Sequence, residues 1–169
     1  NIENVIMEAS SHGLKQNRLD GLKFDTGIFT NFSQDHLDYH KNLKDYLDAK
    51  LYLFRKLLKK NGKIITDSQI PEYQKIKRIA RTKNFKLKTI NEKKNNFKII
   101  SHSFDGESQS LKLKLNNSIT KIRINLIGKI QIKNILMAIL AAEKSNLNLK
   151  KILKVVSKIR PVKGRLEKI

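Results

Sequence analysis

The chain has 169 residues, 39% of them hydrophobic, and no cysteine; this describes one globular domain with a buried core and excludes disorder, a disulfide framework and thiolate metal sites. No apolar run approaches the roughly 20 residues of a membrane-spanning helix, and the opening Asn1-Ile2-Glu3-Asn4 has no signal-peptide character, so a soluble, cytoplasmic protein without a membrane partner is expected. The formal charge of +21 invites a polyanion, but residues 1–50 set eight acids against six bases, a formal −2. That leaves +23 to residues 51–169, mostly Lys spread among Ile and Asn with few arginines or aromatics, which reads as a solvated surface rather than a nucleic-acid site.

Val5-Ile6-Met7 and Phe24 to Thr30 read as short strands whose carboxyl ends lead into polar clusters, and Gly62 to Thr66 as a third. A helix is predicted from about Leu43 to Lys60. Pro71 opens another through about Arg81, proline being well placed in a first turn. Strand, helix, strand, helix predicts an α/β fold with a mostly parallel sheet flanked by helices. From Asn84 to Gly128 four alternating runs, at 85–90, 97–100, 111–115 and 119–126, are broken by Asp105-Gly106 and Asn116-Asn117. They read as hairpins, a small antiparallel β subdomain. Helices return at about Ile130 to Lys144 and Leu149 to Ile159.

Chemistry concentrates near the start. The run Met7-Glu8-Ala9-Ser10-Ser11-His12-Gly13-Leu14, followed by Gln16 and Arg18, and the run Thr30 to His40, with Asp35-His36 in it, crowd a carboxylate, hydroxyls, imidazoles and an arginine into forty residues. Open α/β sheets place ligands past the carboxyl ends of strands, where Glu8 and His36 both fall. If those strands are neighbours, the two side chains can share Mg2+ or, given the imidazole, Mn2+. The plainer reading makes Glu8 a helix cap, His36 a loop hydrogen-bond partner and Ser10-Ser11 a turn. His36 and His40 stand at the i,i+4 spacing of a zinc pair, without a third ligand of the usual kind.

Leu43, Leu47, Lys50, Phe54 and Leu57 recur at spacings of four and three, which sets Lys50 in an apolar stripe. Two readings stand. The stem can snorkel, leading the ammonium to water, or a desolvated amine can take up carbon dioxide and become an anion.

Residues 7–14, Arg18, Phe24-Asp25, Phe29-Thr30-Asn31, Asp35-His36-Leu37-Asp38-Tyr39-His40 and Asp48-Ala49-Lys50 through Phe54 resemble the central domain of the MurE-type Mur ligases, the UDP-N-acetylmuramoyl-tripeptide synthetases of peptidoglycan assembly. The likeness returns at Gly128, Asn134, Ala138, Ala141-Ala142 and Pro161 to Glu167, so it spans nearly all of residues 1–169.

The resemblance implies a P-loop-like central domain that binds ATP. Glu8, His36 and a carbamylated Lys50 would be the Mg2+ ligands, with Lys50 and His36 catalytic. Ser10, Gln16 and Arg18 would bind the UDP-N-acetylmuramoyl-L-alanyl-D-glutamate substrate, Asn134 the adenine and Arg165 the nucleotide. The implied reaction joins a diamino acid, meso-diaminopimelate by preference over lysine, to the D-glutamyl carboxylate through an acyl-phosphate. A monomer is implied for the complete enzyme. Folylpolyglutamate and cyanophycin synthetases of the same superfamily, and a basic nucleic-acid-binding module, are the alternatives. The family's glycine-rich phosphate loop and its amino-acid-binding domain have no counterpart in these residues, which implies an internal piece that does not turn over ATP alone. Gln131 stands where the family often has Asn.

Overall fold

The computed structural model describes residues 2–33, 38–91, 97–115, 118–143 and 148–161. Along the chain these form α1 (Ser11–Lys15), β1 (Phe24–Phe29), α2 (Leu43–Tyr52), a π-helical turn (Leu53–Leu57), β2 (Leu58–Asp67), α3 (Tyr73–Thr82) and β3 (Lys86–Ile90). After them come β4 (Phe97–Phe104), β5 (Gln109–Leu115), β6 (Ser118–Ile124), α4 (Lys129–Ala142) and α5 (Leu149–Val156). Among the described residues no helix is long and apolar enough to cross a membrane.

β1, β2 and β3 build a three-stranded parallel sheet in that order; its crossovers carry α2 and α3, as parallel neighbours require. Two compact units divide the chain. The first holds residues 1–27, 31–64 and 74–87, the second residues 28–30, 65–73 and 88–169.

In the first unit α2 begins at Asn42, whose side-chain oxygen accepts the N–H of Asp45 at 2.9 Å, an N-cap that satisfies one unpaired donor of the first turn. Leu47, Leu51, Phe54, Leu57 and Ile64 are buried, whereas Leu43 is 42% exposed and stands outside the predicted stripe. The helix also ends earlier than predicted, with Leu58 to Lys60 already in β2. Val5-Ile6-Met7 is not a strand: residues 2–10 are irregular, with Ile6 98% exposed. A strand is held by its ladder partners, and none pairs with this run among the described residues.

In the second unit β4, β5 and β6 form an antiparallel sheet. The predicted Asp105-Gly106 turn is present: Gly106 takes φ +92°, and the Asp105 carboxylate accepts the N–H groups of Ser108 at 2.7 Å and Glu107 at 3.0 Å. Those two donors, with Arg123 at 2.8 Å, hold that carboxyl down to about 2. The run at 85–90 does not join this sheet as predicted; it is β3 of the parallel one. Alternation fits either place, so pattern alone could not choose. One face of β5 and β6 (Leu111, Leu113, Leu115, Ile122, Ile124) forms a single core with the apolar sides of α4 and α5.

Candidate functional site

The segment with Ser10, Gln16 and Arg18 is built around a five-residue helix. Ser10 is the N-cap of α1: its Oγ accepts the N–H of Gly13 at 3.1 Å, so the plainer reading of this serine holds, while its O–H proton stays available to donate. A Cβ at position 13 would stand 3.2 Å from Ser10 Oγ, a tight contact that glycine avoids beside the capping hydroxyl. Asn17, at φ +55°, turns the chain out of the helix, and the N–H of Arg18 closes back on the carbonyl of Gly13 at 2.9 Å. Gln16 and Arg18 are left exposed.

α2 and the loop before it grip this segment at three places. His40 Nε2 and Ser11 Oγ are hydrogen-bonded at 3.0 Å, Lys15 pairs with Asp45, and Tyr52 Oη donates to both oxygens of Asp20 at 3.0 Å. The exposed guanidinium of Arg18 thus projects from a loop tied down on both sides, the preorganisation that a fork aimed at a carboxylate or phosphate requires.

His40 and Ser11 are the residues that sequence reasoning missed as positioning groups. His40 is buried, 5.0 Å from the Tyr46 ring in a stacked arrangement and 5.0 Å from Tyr39 edge-on. Its Nε2 is hydrogen-bonded to Ser11, which leaves only Nδ1 for the zinc-pair reading. Burial lowers its pKa from 6.5; Asp45, with Oδ2 at 3.6 Å from Nδ1, pulls the other way, and His12 and Lys15 add small downward contributions. Asp45 itself lies below its ordinary value, chiefly through Lys15. For His40 the unfolded chain binds the proton more readily, so its contribution to stability is whole above about pH 6.5 and is lost as pH falls below that. The melting temperature is expected to drop between pH 7 and 5.5 more in the wild-type protein than in His40→Gln, which cannot titrate. Parallel pH profiles would refute this.

Lys50 is half-buried on α2. Its Nζ donates to Tyr46 Oη at 3.3 Å and lies 5.2 Å from the centroid of the same ring. Glu8 is exposed in the irregular stretch before α1. Among the described residues no three His, Asp or Glu side chains converge as metal ligands, and His36 lies outside the described residues. Glu8 would supply the oxygen donor that a hard cation prefers. An ammonium at Lys50 does not fit such a set, whereas a carbamate does.

Asn134 is half-buried in the second turn of α4, with Gln131 one turn before it. It belongs to the second unit, and Glu8, Ser10, Gln16, Arg18 and Lys50 to the first. Arg165 lies outside the described residues.

The chain resembles known proteins over nearly its whole length. The chain is 39% identical over 168 residues to UDP-N-acetylmuramoyl-L-alanyl-D-glutamate–2,6-diaminopimelate ligase of Rickettsia typhi, covering 99% of this chain and 34% of that protein. It is 36% identical over 167 residues to the enzyme of that name from Zymomonas mobilis, covering 99% and 34%. A solved structure of a ligase of this name superimposes with a TM-score of 0.81 at 26% identity, covering 93% of this chain and 32% of the other. The chain thus spans about a third of the length of the curated relatives it matches. With the sequence profile of the Mur ligase middle domain matching residues 1–142, the chain belongs to the Mur ligase middle-domain family.

Proposed function

We propose that this chain is the central, ATP-binding part of a cytoplasmic UDP-N-acetylmuramoyl-tripeptide synthetase that adds 2,6-diaminopimelate to UDP-N-acetylmuramoyl-L-alanyl-D-glutamate. One observation carries the reading: likeness to ligases of that specificity runs the whole length of the chain and includes the tethered segment with Ser10, Gln16 and Arg18. In the reaction the γ-phosphate of ATP passes to the D-glutamyl carboxylate, and the amine of the diamino acid displaces phosphate from the acyl-phosphate to form the amide. Catalysis of such a transfer is mainly positioning and charge stabilisation.

The Ser10 hydroxyl, Gln16 amide and Arg18 guanidinium bind the UDP-sugar dipeptide, with Arg18 meeting its anionic group. Asn134 reads adenine, and Arg165 meets the nucleotide. Glu8, His36 and a carbamylated Lys50 would hold Mg2+, which when bound neutralises charge on the transferring phosphoryl group. The Tyr46 hydroxyl, beside Lys50 Nζ, is placed to donate to a carbamate oxygen.

Arg18 offers the direct test, because Lys keeps the charge but loses the planar fork. In the complete protein, Arg18→Lys is expected to raise the KM for the UDP-sugar substrate about tenfold, the scale of one lost charge-assisted contact, and to leave the KM for ATP near wild type. Equal changes in both constants would overturn the assignment of Arg18.

A further inference from the structure

Asp67, the last residue of β2, is fully buried. Its Oδ1 accepts the N–H of Gln69 at 2.9 Å and the side-chain amide of Asn91 at 3.1 Å. Its Oδ2 lies 2.6 Å from Lys133 Nζ on α4, a close ion pair outside aligned hydrogen-bond geometry. Beside it Ser68 donates both its N–H and its hydroxyl to the carbonyl of Ile90, at 3.1 and 3.0 Å. The carboxyl ends of β2 and β3 are therefore stitched together at the point from which the carboxylate reaches α4.

α4 needs such an anchor. Its N-cap is Gly128, at φ +91°, without a side-chain cap, and its first turn has no acid, so local sequence does little to fix where the helix starts. Tertiary contacts do it instead. Buried Gln109 donates its amide to the carbonyls of Leu126 at 2.5 Å and Gly128 at 3.3 Å, which holds the entry loop. The Asp67–Lys133 pair holds the next turn.

We infer that Asp67 and Lys133 are positioning residues for Asn134: the pair sets the azimuth of α4 so that the adjacent asparagine presents its amide edge to adenine. This rests on the nucleotide reading given above. Three observations favour it over plain scaffolding. The pair is a poor stabiliser: Lys133 is 39% exposed, so water screens the attraction, while the Asp67 carboxylate bears the full cost of burial. Asp67 lies at the carboxyl end of β2 in an α/β sheet, the side on which ligands bind. Lys133 immediately precedes Asn134, so any shift of its backbone is passed on, and a two-point amide contact tolerates little displacement.

Asp67→Asn isolates the effect, because it keeps an oxygen for Gln69 and Asn91 and deletes only the charge that holds Lys133. In the complete protein it is expected to raise the KM for ATP about tenfold, with kcat and the KM for the UDP-sugar substrate unchanged. Lys133→Met should do the same, and Lys133→Arg, which keeps the pair, should restore the wild-type KM. In an Asn134→Ala background Asp67→Asn should add less than about twofold, because its effect passes through the missing amide. Multiplicative effects in the double variant, or a lowered melting temperature with no change in the KM for ATP, would overturn the inference while leaving the nucleotide reading intact. An unchanged KM for ATP in Asn134→Ala alone would instead overturn that reading. Should Asp67→Asn fail to fold, Lys133→Met with the same measurements decides.

Discussion

Lys50→Ala in the complete protein is expected to lower kcat by three orders of magnitude or more, because charge stabilisation at a transferring phosphoryl group contributes several kcal/mol. Folding should survive: the side chain is half-buried beside Tyr46 rather than sealed in the core, and alanine is the best helix former. The chemical identity of the lost group is then read by rescue. If Lys50 acts as a carbamate, the vacated space takes a short carboxylate, and acetate or propionate should restore part of the activity while methylamine does not. Rescue by the amine and not by the acid would mean that Lys50 works as a cation and that the carbamate assignment is wrong.

The same lysine shows what was legible in the sequence. Its place on a helix with buried Leu47, Phe54 and Leu57 was visible as a period of three and four. That the helix stops at Tyr52 was not. The apolar period continues to Leu57, and no glycine or proline interrupts it before Gly62. What ends it is pairing of residues 58–67 into the parallel sheet, a long-range effect that outweighs local propensity.

The site divides along the same line. Ser10, Gln16 and Arg18 could be proposed from the sequence because they sit close together in a patterned run. The grip of His40 on Ser11 spans 29 positions and leaves no periodic trace, so the sequence shows His40 as half of a possible zinc pair and as part of the family-like run, and not as a partner of Ser11. Asp67 did carry a signal, a carboxylate just past the third predicted strand, the same argument that singled out Glu8 and His36. The burial and the ion pair that give it a role depend on β3 and α4, whose placement pattern does not fix.

Phe54 is the side chain on which the placement of α2 is expected to depend most, and Gly27 is its counterpart. The phenyl ring is buried, and a Cβ built at Gly27 would stand 2.7 Å from Phe54 Cε1 and 3.2 Å from Cδ1. No real methyl occupies that distance, so β1 has glycine where the ring crosses it. Phe54→Ala is expected to destabilise the protein by about 3–5 kcal/mol, the usual result of emptying a buried aromatic site. Gly27→Ala alone should cost about 1–3 kcal/mol, because the ring must leave its rotamer. The two should not add: with the ring gone, the Gly27→Ala methyl enters vacated space, so in the Phe54→Ala background the second substitution should be neutral or stabilising. Urea midpoints of the four proteins measure the coupling, and strictly additive values would show that the two residues do not meet. A ring held there by β1 also fixes the turn that follows Lys50, so Phe54→Ala protein that still folds should lose activity beyond what its stability predicts.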